Sequence, residues 1–399
     1  MPSISHILEL TEYTPQILPQ TMLPFSVGEI LWREFDQKGK RIQVDFPSPK
    51  NNYQWVITPQ GWVGHVPITA VYEIQIKPKV KMANLFRMWE VAYQLTRYDL
   101  FAGLIGVNSI AAFYEQLALW LAQKVMQRGQ QGFHAAFLPQ ERELTAVRGQ
   151  YIPQMAGTKP TNMKLLCRYD EFTMDIVDNQ ILATTLDLIA RSRRCRPEVQ
   201  TAVRQATHQL QRITTPHPIT AAECANRSYS RLNQDYQPMH ALCRFFLEHL
   251  GPQHQTGNNV MMPFLINMAR LFELFISNWL HANLPEGWLL QAQETVTVGQ
   301  QSELRFDIDL VLYDQSGTAT AVLDTKYKTP DKPSQQDINQ IITYAKAKKC
   351  QHAYLIYPQP LPQPLHVQFD DLTLQTLTFP LNQDIESAGK YFQKNLFTN

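Results

Sequence analysis

The fold is best recognised from two neighbouring segments, Arg305-Phe-Asp-Ile-Asp-Leu-Val-Leu312 and, after a short turn, Ala319-Thr-Ala-Val-Leu-Asp-Thr-Lys-Tyr327. Both segments are apolar enough to be buried strands, yet each contains Asp, which is depleted in strands and needs a partner or a metal when it is buried. Asp324 and Lys326 are two residues apart, so both side chains project from one face of the strand. If the two segments pair as a hairpin, Asp307 comes close to Asp324 and Lys326.

The residues around this hairpin predict a mixed sheet flanked by helices. Apolar residues at helical spacing precede the first strand and follow the third, and one more strand comes after the second helix. The expected order is a helix at 263–282, strands at 289–298, 303–313 and 318–327, a helix at 334–349 and a strand at 353–357. The turn-rich segment 251–259 precedes this block and is the best candidate for a linker.

The rest of the chain is β-rich at its start and helical in its middle. Strands are expected at 41–46 and 71–76, and helices at 84–93, 109–127, 178–194, 198–212 and 232–250. A length of 399 residues suggests two or three domains. The sequence therefore predicts an α+β multi-domain protein with a small β-rich domain (1–83), a mainly helical middle region (84–257) and a C-terminal domain (258–399).

Composition excludes several classes of protein. The 36 basic and 35 acidic side chains leave a formal charge of +1, which excludes nucleic-acid binding by bulk charge but not by a local basic groove. The 5 cysteines form no C-x-x-C pair and the 11 histidines no H-E-x-x-H motif, so a disulfide framework and a zinc hydrolase are disfavoured. No signal-peptide pattern is visible, and polar residues interrupt the apolar stretch 101–122. We expect a cytoplasmic protein without a membrane segment.

Two carboxylates and a lysine on one sheet face suit metal-dependent hydrolysis of a phosphodiester. Mg²⁺ takes one or two protein carboxylates and keeps several waters, which leaves room for phosphate oxygens. The metal acidifies a bound water, and a nearby lysine orients that water or neutralises the phosphate. The Asp-x-Lys motif alone is weak, because it also occurs at Asp36-Gln-Lys38 in a polar turn. Only Asp324-Thr-Lys326 ends an apolar strand.

Two helical features extend the set. Glu273 is flanked by apolar and aromatic residues, which suggests a carboxylate turned toward the protein. Gln340 and Tyr344 are four apart and share a helical face, from which they could hold DNA or position the lysine. Taken singly, each feature has an ordinary alternative: a salt-bridged helix residue, a semi-buried helix face, or a cross-strand ion pair for Asp324 and Lys326. Their order along the chain favours an active site.

This order resembles that of the PD-(D/E)xK nuclease superfamily, and the pair Gln340 and Tyr344 is similar to the QxxxY feature of its RecB-like branch. The whole chain resembles the McrC family, the nuclease subunits of modified-cytosine-dependent restriction systems. Further segments that carry the resemblance are Gly61-Trp-Val-Gly-His-Val66, Ile74-Gln-Ile-Lys-Pro-Lys-Val80, Arg148-Gly149 and Cys167-Arg-Tyr-Asp-Glu-Phe-Thr-Met-Asp175 with Asn179. The resemblance implies a PD-(D/E)xK endonuclease domain at 258–399 and partner interaction by 1–83.

The resemblance also implies roles for single residues. Glu273 matches the acid of the first helix, Asp307 the Asp of the PD element, and Asp324 with Lys326 the acid and lysine of the third element. The implied catalytic set is Asp307, Asp324, Lys326, Glu273, Gln340 and Tyr344, with Asp307, Asp324 and Glu273 as the Mg²⁺ ligands.

One departure from the family pattern lies in the first of the two strands. Phe306 stands where the family usually has proline, which shapes the strand but is not a ligand, so activity is still expected. Asp309 is an extra carboxylate with the same facing as Asp307. It is expected to be either a second metal ligand or the cross-strand partner of a cation.

The resemblance implies an AAA+ GTPase hexamer as partner, acting on double-stranded DNA with modified cytosine, whose GTP hydrolysis this chain stimulates. No G-x-x-x-x-G-K-[ST] loop occurs, so this chain itself is expected to bind no nucleotide. Lys346, Lys348 and Lys349 are the expected phosphate contacts, whereas the basic cluster 191–196 is read as a solvated helix end. The sequence leaves open a non-cleaving adaptor that activates the GTPase, and a stand-alone DNA repair nuclease.

Overall fold

The computed structural model describes residues 6–69, 71–96, 109–153, 164–192, 195–225, 227–250, 254–256, 259–261, 263–298 and 304–397. It is a mixed α+β chain with several sheets and helices. Contacts divide it into one compact unit of Met1–Phe113 with His249–Asn399 and a second of Tyr114–Glu248. The domains 1–83, 84–257 and 258–399 remain predictions, although the first and last of these stretches lie in one unit.

The first part of the chain forms short strands and helices. They are β1 (His6–Thr11), β2 (Gln16–Leu18), α1 (Phe25–Leu31) with a π-helical continuation (Trp32–Gln37), β3 (Ile42–Asp45), a 3₁₀ turn (Pro49–Asn51), β4 (Trp55–Pro59), β5 (Trp62–Pro67), β6 (Tyr72–Lys77) and α2 (Met82–Ala92). Strands β2, β4 and β3 form a small sheet in that order. The fully buried ring of Trp55 lies on it, and its Nε1 donates a hydrogen bond to the carbonyl oxygen of Leu23.

The middle of the chain contains the predicted helices and a sheet that was not predicted. The elements are α3 (Ile110–Gln131), β7 (Ala136–Leu144), β8 (Gln150–Tyr151), β9 (Leu165–Thr173), α4 (Val177–Ser192), α5 (Pro197–Gln211), α6 (Ala221–Ala225) and α7 (Tyr236–His249). Strands β7 and β8 pair on either side of β9. Strand β7 has no fully buried residue and therefore lacks the continuous apolar face that would predict a strand.

The last part of the chain confirms the predicted α-β-β-β-α-β order and extends it. The elements are β10 (His254–Thr256), β11 (Asn259–Met261), β12 (Phe264–Asn267), α8 (Met268–Asn283), β13 (Leu289–Val298), β14 (Leu304–Tyr313), β15 (Ala319–Thr325), α9 (Gln335–Lys348), β16 (His352–Tyr357), β17 (His366–Phe369), β18 (Leu372–Thr378) and α10 (Ile385–Phe397). The helix expected from residue 263 begins later, because β12 pairs with β5 and completes the sheet β1-β6-β5-β12. Residues 254–256 and 259 of the predicted linker 251–259 lie in β10 and β11, which pair antiparallel as a short hairpin. The other linker residues and part of the apolar stretch 101–122 lie outside the described residues.

One mixed sheet organises this last part, in the order β13-β14-β15-β16-β18-β17. Strands β13 to β15 are antiparallel, whereas β15, β16 and β18 are parallel, so that α9 is the crossover between β15 and β16. Helix α9 covers one face, where Ile341 and Tyr344 pack with Val311 and Val322. Among the helices described, none combines the length and the apolarity needed to cross a bilayer.

Helices α8 and α10 pack together beside the same sheet. The Trp279 ring of α8 meets Phe392 of α10 and Phe379, which follows β18, at centroid distances of 6.0 and 5.2 Å. A Cβ atom at Gly389 would overlap the Trp279 ring, so only glycine allows this approach. The packing fixes α8, the helix that carries Glu273, against the strands that carry the aspartates.

Candidate active site

The pairing of β14 with β15 places two carboxylates opposite each other. Leu310 pairs with Leu323, so the next residues outward, Asp309 and Asp324, are cross-strand neighbours. Asp309 Oδ2 accepts hydrogen bonds from the backbone N of Thr325 at 3.2 Å and from its hydroxyl at 3.4 Å. Asp324 is 2% exposed. The hairpin predicted from the sequence therefore forms, and it brings Asp309 next to Asp324.

Asp307 does not lie beside Asp324, and the expectation that it would was wrong. Its side chain is 62% exposed, and its Oδ1 accepts a hydrogen bond from the Thr295 hydroxyl at 2.6 Å and lies 3.4 Å from Arg305 Nη2. The hydrogen bond from Thr295 and the charge of Arg305 lower the pKa of Asp307. The paired rows of β14 and β15 begin at Leu310, so Asp307 lies beyond them and is paired with Thr295 of β13.

Lys326 is the cation of the site. Its Nζ lies 2.6 Å from Asp324 Oδ2 and 3.7 Å from Asp337 Oδ1, and it donates to Gln340 Oε1 at 3.4 Å. Burial acts to lower the pKa of Lys326, but the adjacent carboxylates, Asp324 first, outweigh burial and raise it. The raised pKa favours the protonated amine at neutral pH. The expected ion-pair contact of Asp324 and Lys326 exists, within a larger cluster.

The acids of the cluster hold their protons more tightly than isolated carboxyls. Burial raises the pKa of Asp324 to about 6, with Lys326 opposing the shift and the charge of Asp309 adding to it. Burial also raises the pKa of Asp309. For Glu273, burial and then the charge of Asp309 raise the pKa. Ionising all three acids is costly because each is desolvated and faces like charge.

Glu273 reaches the cluster from α8. Asn267 caps the helix by accepting a hydrogen bond from the backbone N of Arg270 at 3.1 Å, and Arg270 Nη1 contacts Glu273 Oε1 at 2.5 Å. The side-chain amide of Gln293 also donates to Glu273. Gln293 has φ of +51°, a left-handed conformation inside β13. Glu273 is thus both a salt-bridged helix residue and a neighbour of Asp309.

Helix α9 supplies the polar side chains beside Lys326. Gln340 Nε2 donates to the Tyr344 hydroxyl at 2.8 Å, which places the predicted pair on one face with the Gln340 carbonyl toward Lys326. Asp337, which was not among the predicted site residues, lies 2.6 Å from Lys328 Nζ. The available signal was Ser334-x-x-Asp337, a helix-start pattern. The Ser334 hydroxyl accepts from the Asp337 backbone N at 3.2 Å and donates to its carboxylate at 2.6 Å.

The lysines expected to contact phosphate differ in their surroundings. Lys348 Nζ donates to Glu294 Oε1 at 2.7 Å and to the Tyr313 hydroxyl at 2.6 Å, and its side chain is only 16% exposed. Lys346 Nζ lies 5.6 Å from the centroid of an aromatic ring in β17, and Lys349 ends α9 in the left-handed conformation. Lys348 is therefore engaged within the protein, whereas DNA contact by Lys346 and Lys349 stays a prediction.

The carboxylates fit a hard divalent cation by their chemistry. Within the described ranges, no group of three or more His, Cys, Asp or Glu residues is already arranged as a metal-binding set. Two opposed carboxylates, Asp309 and Asp324, are nevertheless enough protein ligands for Mg²⁺, because its other ligands are waters and phosphate oxygens. The ammonium of Lys326 and the guanidinium of Arg270 now provide the positive charge that offsets the acids.

Comparison with known proteins gives the class of this molecule. Residues 57–358 match the family model described as McrBC 5-methylcytosine restriction system component. The class of this protein is therefore that of restriction-system components. The chain belongs to this McrBC family. The search of curated proteins found no match.

The solved structures similar to this chain include the following two. One is a chain in a refined half-complex from the tetradecameric assembly of Thermococcus gammatolerans McrB AAA+ hexamers with bound McrC. It has 18% identity and a TM-score of 0.55, over 98% of this chain and 99% of that one. The other is in a cryo-EM structure of the Thermococcus gammatolerans McrBC complex. It has 19% identity and a TM-score of 0.46, over 70% of this chain and 88% of that one. At this identity, the first likeness shows a shared fold along the full length.

Proposed function

We propose that this chain is the Mg²⁺-dependent endonuclease subunit of a modified-cytosine-dependent restriction complex. The observation that carries the proposal is that Asp309, in the middle of β14, meets Asp324 and Lys326 at the end of β15, with Glu273 and Gln340 on either side. Membership of the McrBC family supports the restriction role. The C-terminal domain (258–399) is then of the PD-(D/E)xK type, with Asp309 rather than Asp307 as the acid of the first strand.

The proposed chemistry divides the work among the residues of the cluster. Asp309 and Asp324 would hold Mg²⁺, which when bound activates a water and offsets the charge that develops on the phosphate. Lys326 is a fixed cation, oriented by Gln340 at 3.4 Å, and can stabilise the same charge. Glu273, with its raised pKa, is suited to exchange a proton with the attacking water.

With this assignment, the residue that stands in place of the family proline is Ile308 instead of Phe306. Ile308 is completely buried in the core under α9. The Phe306 ring meets that of Tyr344 at a centroid distance of 6.0 Å, so it supports the Gln340 and Tyr344 face. Neither residue offers a metal ligand, and neither departure argues against cleavage.

We infer that an AAA+ GTPase hexamer delivers double-stranded DNA with modified cytosine to this site. The similar solved chain comes from an assembly of McrB AAA+ hexamers with bound McrC, and the likeness covers nearly all of both chains. The sequence has no phosphate-binding loop of its own, so the nucleotide would belong to the partner. Residues 1–83 remain the proposed partner-binding domain, and the complex would act in the cytoplasm.

Reconstitution with the cognate GTPase, GTP and Mg²⁺ tests this function. Wild type should cleave a methylcytosine-containing duplex and raise the rate of GTP hydrolysis. Lys326→Ala should lose cleavage yet stimulate GTP hydrolysis to the same extent, because the lysine lies in the nuclease cluster. A wild-type complex that hydrolyses GTP faster but never cuts DNA would instead identify an adaptor. Cleavage by the chain alone would identify a stand-alone nuclease.

A further inference from the structure

Two consecutive residues in the turn that follows β1 hold the residue that follows Lys326. The Tyr327 hydroxyl donates a hydrogen bond to Glu12 Oε1 at 2.8 Å. The Tyr13 hydroxyl donates to the backbone carbonyl of Tyr327 at 3.1 Å. Tyr327 is therefore fixed at its side chain and at its backbone by residues more than 300 positions earlier in the chain.

Glu12 is destabilising at this position. It is completely buried, and burial raises its pKa. Its Oε1 also accepts a hydrogen bond from the backbone N of Lys79 at 2.7 Å, whereas no hydrogen-bond partner for Oε2 is found among the described residues. A buried carboxyl with one unsatisfied oxygen lowers stability relative to an apolar side chain. Its presence is better explained by what it holds than by a contribution to folding.

Tyr13 is strained in the conformation that lets it reach Tyr327. Its φ is +52°, in the left-handed region that residues other than glycine rarely adopt. A hydrogen bond from its backbone N to the Pro59 carbonyl at 2.9 Å keeps it there. A Cβ atom on Gly61, itself at φ +67°, would overlap the Tyr13 hydroxyl. Such over-determined strain is concentrated at functional sites.

The ring of Tyr327 also packs against α8. Its ring lies 5.9 Å from that of Phe272, the residue before Glu273. Tyr327 thus adjoins Lys326 along the chain and contacts the neighbour of Glu273 in space. Tyr327 therefore links the two elements that carry Lys326 and Glu273.

We propose that Glu12 and Tyr13 are positioning residues of the nuclease site, which set the place of Lys326 by fixing Tyr327. This inference rests on the proposed function. Strand β1 pairs with β6 and so belongs to the N-terminal sheet. The N-terminal sheet is therefore part of the scaffold of the active site, and a shift of β1 changes cleavage without touching DNA or metal.

Single-turnover cleavage by the full complex tests the proposal, with the variants Tyr13→Phe and Tyr327→Phe. Each removes one hydroxyl of the link. We expect the rate at saturating DNA to fall about tenfold or more, with an unchanged half-saturating DNA concentration, because misplacing a catalytic group by about 1 Å can cost roughly 100-fold. Glu12→Gln keeps an acceptor oxygen and should retain more activity than Glu12→Leu. The matched control is Tyr229→Phe, whose hydroxyl lies 3.0 Å from His240 Nδ1 in the other unit.

Rates within about twofold of wild type for both Tyr13→Phe and Tyr327→Phe, with Lys326→Ala inactive, would overturn the inference and leave the proposed function intact. A second measurement does not need cleavage. In protein labelled with ¹³C at lysine Cε, the Lys326 signal is identified by its loss in Lys326→Ala. That signal should shift in Tyr13→Phe and not in Tyr229→Phe, and an unmoved signal would overturn the inference even if wild type never cuts.

Discussion

Replacing Asp309 by Asn should abolish cleavage while leaving the protein as stable as wild type or more stable. The charge of Asp309 contributes to the raised pKa values of Glu273 and Asp324. The ionised carboxylate of Asp309 is therefore repelled by these two acids. The Asn side chain keeps an oxygen that can accept the hydrogen bond from Thr325 N, which is 3.2 Å long in wild type. The substitution therefore removes a charge and preserves the contact.

The magnitude follows from the cross-strand geometry. Directly opposed residues of an antiparallel pair have Cβ atoms roughly 5 Å apart. Two unit charges at about 5 Å repel by about 3 kcal/mol at an effective dielectric constant of about 20. Lys326 and Arg270 attract Asp309 and offset part of that gain. We expect the free energy of unfolding at pH 8 to rise by between 0 and about 2 kcal/mol, and the cleavage rate to fall at least ~100-fold, because lost outer-shell partners alone cost roughly 10–100-fold.

Urea unfolding and single-turnover cleavage measure the two quantities on the same preparations. Asp307→Asn is the matched control, since it makes the same change two residues away at an exposed position. It should keep the unfolding free energy within about 0.5 kcal/mol of wild type and keep its cleavage rate. Loss of cleavage in Asp307→Asn together with normal cleavage in Asp309→Asn would refute the assignment drawn from the strand pairing.

Three further predictions concern the free energy of unfolding. The pKa of Asp324 is about 6 in the folded protein against an ordinary 3.8, so between about pH 4 and 6 the folded state keeps a proton that the unfolded chain has lost. Stability should fall by up to about 3 kcal/mol over that rise in pH, and less in Asp324→Asn, as urea unfolding at several pH values will show. Lys326→Met leaves Asp324 unpaired and should lower the unfolding free energy by about 3 kcal/mol in urea titrations, whereas no loss would mean that the pair is not buried in solution. Gly64→Ala should cost about 2 kcal/mol or more in thermal unfolding, because φ is +140° and a Cβ would overlap the Phe264 carbonyl oxygen; Gly132→Ala, at φ +94° with nothing within 4 Å, is the control that shows the cost of backbone strain alone.

The sequence predicted the strands of the site but could not choose between its two aspartates. Asp307 and Asp309 have the same facing in an alternating strand, so the pattern treats them alike. The register is set by the turn and by an irregularity after Leu312, where Tyr313 pairs with Ala319. A slip of two residues would exchange the two aspartates without exposing the apolar face. Only the three-dimensional pairing resolves this.

Contacts between residues far apart in the chain could not be predicted from the sequence either. The first three residues of β12 are apolar enough to be read as the start of α8, and only the pairing with β5, some 200 positions earlier, makes this segment a strand. Glu12 and Tyr13 gave no local signal, because their partner Tyr327 is more than 300 positions away. Asp337 did give a signal, yet Ser334-x-x-Asp337 is explained fully by helix capping, and its pairing with Lys328 depends on the fold.

The most direct test of the account is cleavage of a methylcytosine-containing duplex by this chain with its cognate GTPase, GTP and Mg²⁺, compared with the Asp324→Ala variant. Asp324 is the buried acid between Asp309 and Lys326, so the account predicts that wild type cuts and that the variant, still assembled with its partner, does not. Equal cleavage by the two proteins would contradict it, because the phosphodiester would then be broken at some other site.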